Sequence, residues 1–523
     1  MIEKTQNKIA ILFWMMVVLL IGVVFLPHFL PLMINADSYA ILMPAKLWQQ
    51  YGYVGGELGN SGDYFYPLFY RGGLSLLILL VNVVTNLDLY IVAEWLILFS
   101  YILSLVLVYL LVIKLIGSIK SAILATFLLA FSFSFRSWSG VLMAEIPTIM
   151  LFLATLTALV YSRNWSVLLY LSAVLMGVTL AFRLEMVVLV IGVMIFMEHI
   201  YPKKNLLKWI WGFIVVGIWL VYEAVLYFMV WDAGWWLGDQ VVRWKQTMQY
   251  HELFLYFAIF LVLCWVLSKI SRWLLLLPVG LFVYILIGLN WDWYNILKPL
   301  LEFVKNDVVL VVVAMISVIY MLFMRVKLVV PLVWCLLMLL VVYFSRQEYR
   351  YYVHLVALLV LLASYLLKVV VENKNKWVKY GLGMVLIGAI VYQAKVTLGS
   401  SFLPQLGYEQ VVVEETKEVL AENNLSNVVV CSMFSEAMYF VTGIPSIDCF
   451  EGVNDLNRSK VDEVLVVVDE DMARHQPDFV AYLETNKQAV LIAEKWVLQT
   501  YVEKNSYSFP KFPVRWYVVR SKK

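Results

Sequence analysis

The stretch LSLLILLVNVV, residues 74–84, decides how the whole chain is threaded. It is apolar, but at about 11 residues it is little more than half the length of a bilayer-crossing helix, which needs about 20. The runs on either side are longer: IAILFWMMVVLLIGVVFL before it, and 92–113 after it. Counting 74–84 as a span puts Lys114 and Lys120 outside and inverts every later loop. Reading it as an interfacial or re-entrant helix leaves the basic loops on one side, as the positive-inside rule requires. On that reading it closes a long first outer loop, 28–91, whose polar part is NADSYAILMPAKLWQQYGYVGGELGNSGDYFYPLFYRGG, 35–73.

The rest of the chain agrees. Of 523 residues, 63% are hydrophobic and 14% charged, against about 25% charged in a soluble domain. Continuous apolar runs, rather than strands of alternating polarity, point to a polytopic α-helical membrane protein and exclude a β-barrel. A net charge of +3 is too small to argue for nucleic acid. Candidate spans number thirteen: 9–27, 92–113, 121–139, 145–162, 166–182, 186–200, 209–231, 253–268, 273–290, 307–324, 328–344, 351–370 and 378–396. The first reads as a retained span, since it ends in Pro27, His28 and Phe29 rather than in small residues. With the N-terminus cytoplasmic, the short inner loops carry Lys4, Lys8, Lys114, Lys120, Arg163, Lys203, Lys204, Lys208, Lys269, Arg272, Arg325, Lys327, Lys374, Lys376 and Lys379. The outer segments 28–91, 232–252 and 291–306 are longer, acidic and aromatic.

Residues 1–396 therefore read as a transmembrane domain, and 397–523 as a small soluble α/β domain on the extracytoplasmic side. In the latter, VVVEETKEVLAENN, SEAMYFVTG and PDFVAYLETN read as helices. NVVVCS, PSIDCF, VDEVLVVVDE, QAVLIAEKW and VRWYVVR read as strands. It contains no glycine-rich phosphate loop. Cys264 and Cys335 lie in apolar runs as packing residues. Cys431 and Cys449 either pair in an oxidising compartment or stand as two reduced thiols.

Ionisable groups at membrane depth cost a few kcal/mol each, so each asks for a reason. The strong candidates all fall at the outer face, whereas a carrier places them near the midplane. Asp37 follows the first span. It is a general base toward an acceptor hydroxyl or, more plainly, a helix cap. Glu145, in VLMAEIPTIMLFL, is a second active-site acid or a carboxylate favoured by a helix start. Arg183 and Glu185, in TLAFRLEMVV, form a charged turn; the arginine suits a phosphate headgroup or an internal ion pair with a carboxylate. Arg346 and Arg350, in SRQEYRYYVHL, run against the positive-inside bias, and Arg71, in YPLFYRGG, stands likewise. Arg243 and His251 are weaker candidates, and no His/Cys/Asp group has metal spacing.

Taken together, these segments resemble the GT-C membrane glycosyltransferases, in particular the branch of protein mannosyltransferases and aminoarabinose transferases. The resemblance covers 1–396. It is carried by D-x-Y in NADSYA, the aromatic–proline segment FYPLFY before a short apolar helix, AEIP at an outer helix start, the FRLE turn and a late RYY before a long apolar helix. It implies a sugar held as a polyprenyl-phosphate donor and transferred with inversion to a protein, lipid or glycan hydroxyl in a bacterial or archaeal plasma membrane. Asp37 would be the base, with Glu145 as the second acid. Arg71, Arg183, Glu185, Arg346 and Arg350, with Tyr39 and Tyr66, would form the donor and phosphate site. The metal-binding acidic pairs of the oligosaccharyltransferase branch are not found, so no metal or other cofactor is expected. The competing functions are a lipid-linked glycan flippase and an outer-face glycan polymerase or ligase.

Overall fold

The computed structural model describes residues 36–51, 56–57, 64–65, 72–202, 204–229, 293–346, 349–373 and 375–399. In the C-terminal part it describes 408–425, 428–433, 438, 441–444, 446–449, 463–469, 472–473, 476–498 and 511–520. Candidate spans 9–27, 253–268 and 273–290 lie outside the described residues, as do Arg71, Tyr66, Arg243 and His251.

The segment read as a polar loop begins with a helix, α1 (Ala36–Tyr51), followed by a two-residue antiparallel ladder of β1 (Gly56–Glu57) and β2 (Tyr64–Phe65). The decisive apolar stretch forms α2 (Gly72–Thr85), 14 residues long and about 21 Å at 1.5 Å per residue, too short to cross a bilayer. Asp88 then accepts a hydrogen bond from the Tyr90 amide at 2.8 Å and starts α3 (Leu89–Ile116). At 28 residues α3 is long enough to span. Gly117, with φ 77°, closes it in the left-handed conformation that glycine adopts without strain.

The candidate span 121–139 is not one helix. It is α4 (Ile119–Ala130) and the short α5 (Phe133–Ser139), bent by 60°. The serines of FSFSFRSWS compete for backbone hydrogen bonds and break the run: Ser132 accepts from the Phe135 amide at 3.3 Å, and Ser137 donates to the Phe133 carbonyl at 2.7 Å. Then come α6 (Glu145–Tyr161), α7 (Val167–Phe182), a 3-10 turn (Leu184–Met186), α8 (Val187–Ile200) and α9 (Asn205–Met229). Further on, α10 (Trp293–Asn306) meets α11 (Val308–Phe323) at 92°, and α12 (Val329–Arg346) follows. A 3-10 turn (Tyr349–Tyr352) leads into α13 (Val353–Glu372), and α14 (Lys376–Gly399) completes the helical part.

Each candidate span within the described residues thus coincides with a helix or, at 121–139, with a bent pair. By length and composition α3, α9 and α13 can each cross a membrane, and the two bent pairs raise this to five among the described residues. The other apolar helices are shorter.

One continuous apolar core runs through α3 to α13. One end of the bundle gathers basic residues. The Lys114 ammonium sits 5.2 Å from the Tyr161 ring centroid, the Arg163 guanidinium donates to the Ile200 carbonyl at 2.9 Å, and Lys368 donates to the Ile116 carbonyl at 2.8 Å. Of these, Lys114 and Arg163 belong to connections read from sequence as inner, and Lys368 lies at the end of the span 351–370 that precedes another.

The C-terminal part contains α15 (Tyr408–Glu422), β3 (Val429–Ser432), β4 (Ser446–Asp448), β5 (Glu463–Val468), α16 (Pro477–Thr485), β6 (Ala489–Leu498) and β7 (Lys511–Arg520). The sheet order is β4-β3-β5-β7-β6. The β3 pairs with β4 and β5 are parallel, and those of β7 with β5 and β6 antiparallel. Alternate residues of each strand face opposite layers. Val430, Leu465 and Trp516 pack with Val412 and Val413 of α15, and the Trp516 indole donates to Thr416 Oγ1 at 2.9 Å. Cys431, Val466 and Tyr517 pack with Phe479 and Leu483 of α16. Gly443, at φ 70°, follows the helical residues Val441 and Thr442. Cys431 and Cys449 form a disulfide with their Cα atoms 5.6 Å apart.

Candidate active site

Away from those basic residues, Glu145, Arg183 and Glu185, all read from sequence as outer, come together. Glu145 is the first residue of α6, where the exposed amides of the helix start favour a carboxylate. Its side chain is fully buried and ion-paired with Arg183, which ends α7 and is itself 1% exposed. The charged turn places Glu185 at 4.0 Å from the same guanidinium. The Arg183 guanidinium also lies over the Tyr351 ring, 5.1 Å from its centroid, in cation–π contact. His354, the second residue of α13, points Nδ1 at the Tyr351 carbonyl at 3.0 Å. FRLE, AEIP and RYY, far apart in sequence, thus meet in one buried cluster.

Of the two readings of Arg183 made from sequence, the ion pair with a carboxylate is the arrangement observed. The partner is Glu145, 38 residues away, in addition to nearby Glu185. A buried guanidinium so surrounded has its charge compensated by carboxylates and its cation set over an aromatic ring.

The first loop wraps this cluster. Ser38 Oγ donates to the Leu142 carbonyl at 2.8 Å, three residues before Glu145. Tyr39, 1% exposed, packs with Val141, Leu142, Met143 and Phe182 in one apolar cluster and hydrogen-bonds the Tyr90 side chain. Gly73 lies so close to α7 that a Cβ there would stand 2.7 Å from the carbonyl carbon of Ala181. The main chain of Asp37 is in the first turn of α1, one residue inside the helix rather than ahead of it as a cap. Arg346 ends α12 and Arg350 lies in the Tyr349–Tyr352 turn. The side chains of Asp37, Arg346 and Arg350 lie outside the described residues.

Sequence reasoning passed over two charged groups at this end. Arg136, 9% exposed, was hidden inside a supposed continuous span; the serine-rich run that breaks the helix was the available signal. Asp307, 0% exposed, sits at the corner between α10 and α11. Among the described residues of the helical part, the buried charged side chains are Arg136, Glu145, Arg183, Lys208 and Asp307. All but Lys208 belong to this end. Among the described residues no group of three or more His, Cys, Asp and Glu side chains is placed to hold a metal ion.

The fold is similar to that of several solved glycosyltransferases. The chain superposes on the archaeal oligosaccharyltransferase AglB from Archaeoglobus fulgidus in complex with an inhibitory peptide and a dolichol-phosphate, with TM-score 0.57 and 11% identity, covering 97% of this chain and 74% of that one. It superposes on ArnT from Cupriavidus metallidurans bound to undecaprenyl phosphate with TM-score 0.55 and 10% identity, over 98% of both chains. With the mycobacterial arabinofuranosyltransferase AftD the TM-score is 0.51 at 15% identity, covering 98% of this chain and 42% of that one. No family profile and no curated protein matches the sequence. The long apolar helices and a composition that is 63% hydrophobic mark the chain as an integral membrane protein.

Proposed function

We propose that the protein is a membrane glycosyltransferase that moves a sugar from a polyprenyl-phosphate donor to a hydroxyl acceptor at the end of the bundle carrying Glu145 and Arg183. The observation that carries the reading is the convergence there: Ser38 fastens the helix of Asp37 just ahead of Glu145, and Gly73 seats α2 beside Arg183. Binding of undecaprenyl phosphate by ArnT, and of a dolichol-phosphate with an inhibitory peptide by AglB, supports a lipid-phosphate donor on this fold.

In the proposed reaction the Asp37 carboxylate takes the proton of the acceptor hydroxyl. The acceptor oxygen attacks the anomeric carbon, the bond from that carbon to the phosphate oxygen breaks, and configuration inverts. The bond pair leaves with the polyprenyl phosphate, already a good leaving group, so no acid is required. Arg350 and Arg71 would stabilise the phosphate; Arg183, neutralised by Glu145, would orient the Tyr349–Tyr352 turn. No metal takes part, so chelation leaves the rate unchanged. The chain would cross the membrane thirteen times with its N-terminus cytoplasmic. The Cys431–Cys449 disulfide supports an extracytoplasmic C-terminal part. Concentration of buried charge at one end, rather than mid-bundle, favours a transferase over a flippase.

Asp37→Asn tests the assignment. In membranes carrying that variant, transfer from polyprenyl-phosphate sugars collapses while the protein stays folded; undiminished transfer refutes the base. Mass spectrometry of the lipid-linked sugars that accumulate without the protein identifies the donor.

A further inference from the structure

We infer that Asp307 is a positioning residue that locks two broken helices together and so holds the donor end of the site in register. The donor part of this inference rests on the function proposed above; the packing part does not.

Asp307 occupies the position just before α11, where an aspartate ordinarily caps its own helix. It makes no side-chain cap there. Its carboxylate instead reaches α5, 174 residues away. Oδ1 accepts from the Phe133 amide at 2.8 Å, and Oδ2 accepts from the Ser134 amide at 3.0 Å and from the Ser134 hydroxyl. With the Ser132 side chain, which also hydrogen-bonds it, four groups converge on a fully buried carboxylate. Asparagine has one acceptor oxygen and would turn an NH2 toward the rest, leaving buried amides unmatched.

The two helices so joined are the bent ones. The α4–α5 bend is 60° and the α10–α11 bend 92°. From the far side of the same corner, Gln393 of α14 donates to the Asn306 carbonyl at 2.7 Å. Each arm then reaches the site. One helical turn along α5 lies buried Arg136, beside Phe135, whose ring stacks on Tyr101 with centroids 5.3 Å apart. On α10, Phe303 stacks on Tyr352 at 5.9 Å, in the turn that carries Arg350 and places Tyr351 beneath Arg183. A local cap would serve α11 alone; this carboxylate fixes α5 relative to the Tyr349–Tyr352 turn.

The test uses the purified full chain in detergent as wild type, Asp307→Ala, Asp307→Asn and Ser134→Ala. Lys368→Ala serves as a control that loses a hydrogen bond at the opposite end. Amide hydrogen exchange is followed in 133–139 and 349–352, and binding of undecaprenyl phosphate is titrated. Asp307→Ala should speed exchange in both segments and weaken lipid binding about tenfold, with a smaller loss for Ser134→Ala and none for the control. Faster exchange confined to 133–139, with 349–352 and lipid affinity unchanged, refutes the inference. If Asp307→Ala fails to fold, Ser134→Ala and Asp307→Asn decide by the same readouts. If the wild-type protein binds no undecaprenyl phosphate, the donor reading fails, and exchange at 349–352 decides the positioning claim.

Discussion

Glu145 and Arg183 are ion-paired with both side chains out of solvent, at 0% and 1% exposure. Such a pair contributes little over an apolar replacement, yet removing one partner leaves an uncompensated buried charge and costs about 3–5 kcal/mol. Arg183→Ala and Glu145→Ala should each destabilise by that order. The double variant should lose clearly less than the sum, and denaturant unfolding in mixed micelles measures the coupling. Strictly additive losses would show that the two groups do not depend on each other.

The Gly73 contact sets two effects against each other. Gly73 lies within α2, where alanine is favoured over glycine by about 1 kcal/mol. Its Cβ, however, would stand 2.7 Å from the carbonyl carbon and oxygen of Ala181 and 2.6 Å from Phe182 Cδ2. The Phe182 ring can turn aside; the Ala181 backbone cannot, and overpacking costs about 1–3 kcal/mol. Gly73→Ala should therefore lower both stability and transfer. Gly381→Ala, in open space on α14, should not. Equal effects of the two substitutions would remove α2 from the site.

How much of this was legible in the sequence depends on the range of the interaction. That 74–84 is too short to span follows from counting residues; the helix Gly72–Thr85, at 14 residues, runs a little past that stretch and is still short of a span. The strands and helices around Val464 and Phe479 follow from local alternation. The convergence of Glu145, Arg183 and Tyr351 was visible only as three motifs on one face; which carboxylate Arg183 takes depends on packing between α6 and α7. Arg136 was missed because a hydrophobicity window averages over FSFSFRSWS, although its serines signal a break. Asp307 was missed because its partners lie 173 and 174 residues away.

The sidedness on which the proposed chemistry rests has better probes than loop residues chosen by sequence. Ser118 sits in a connection read from sequence as inner, but it is buried and caps α4 by accepting from the Ser121 amide. Lys120 is exposed in the first turn of α4, and Glu484 is exposed on α16. In intact cells a membrane-impermeant maleimide should modify Glu484→Cys and leave Lys120→Cys untouched until the membrane is opened. Labelling of Lys120→Cys from outside would invert the topology and move the site to the cytoplasmic face.

The Cys431–Cys449 bond makes a second, independent test of that side. It joins β3 to the end of the neighbouring parallel strand β4, across 18 residues of sequence. Both cysteines are fully buried, so neither is a surface thiol open to chance oxidation. A bridge closing a loop of this length is worth about 3 kcal/mol. Protein unfolded without reductant should take up no maleimide-polyethylene glycol at these two positions, and two equivalents after reduction. Cys431→Ser with Cys449→Ser should lower the unfolding midpoint of the C-terminal sheet while leaving the helical bundle in place. Two free thiols in protein taken directly from cells would argue that the sheet faces a reducing compartment. The acceptor hydroxyl would then have to come from the cytoplasm.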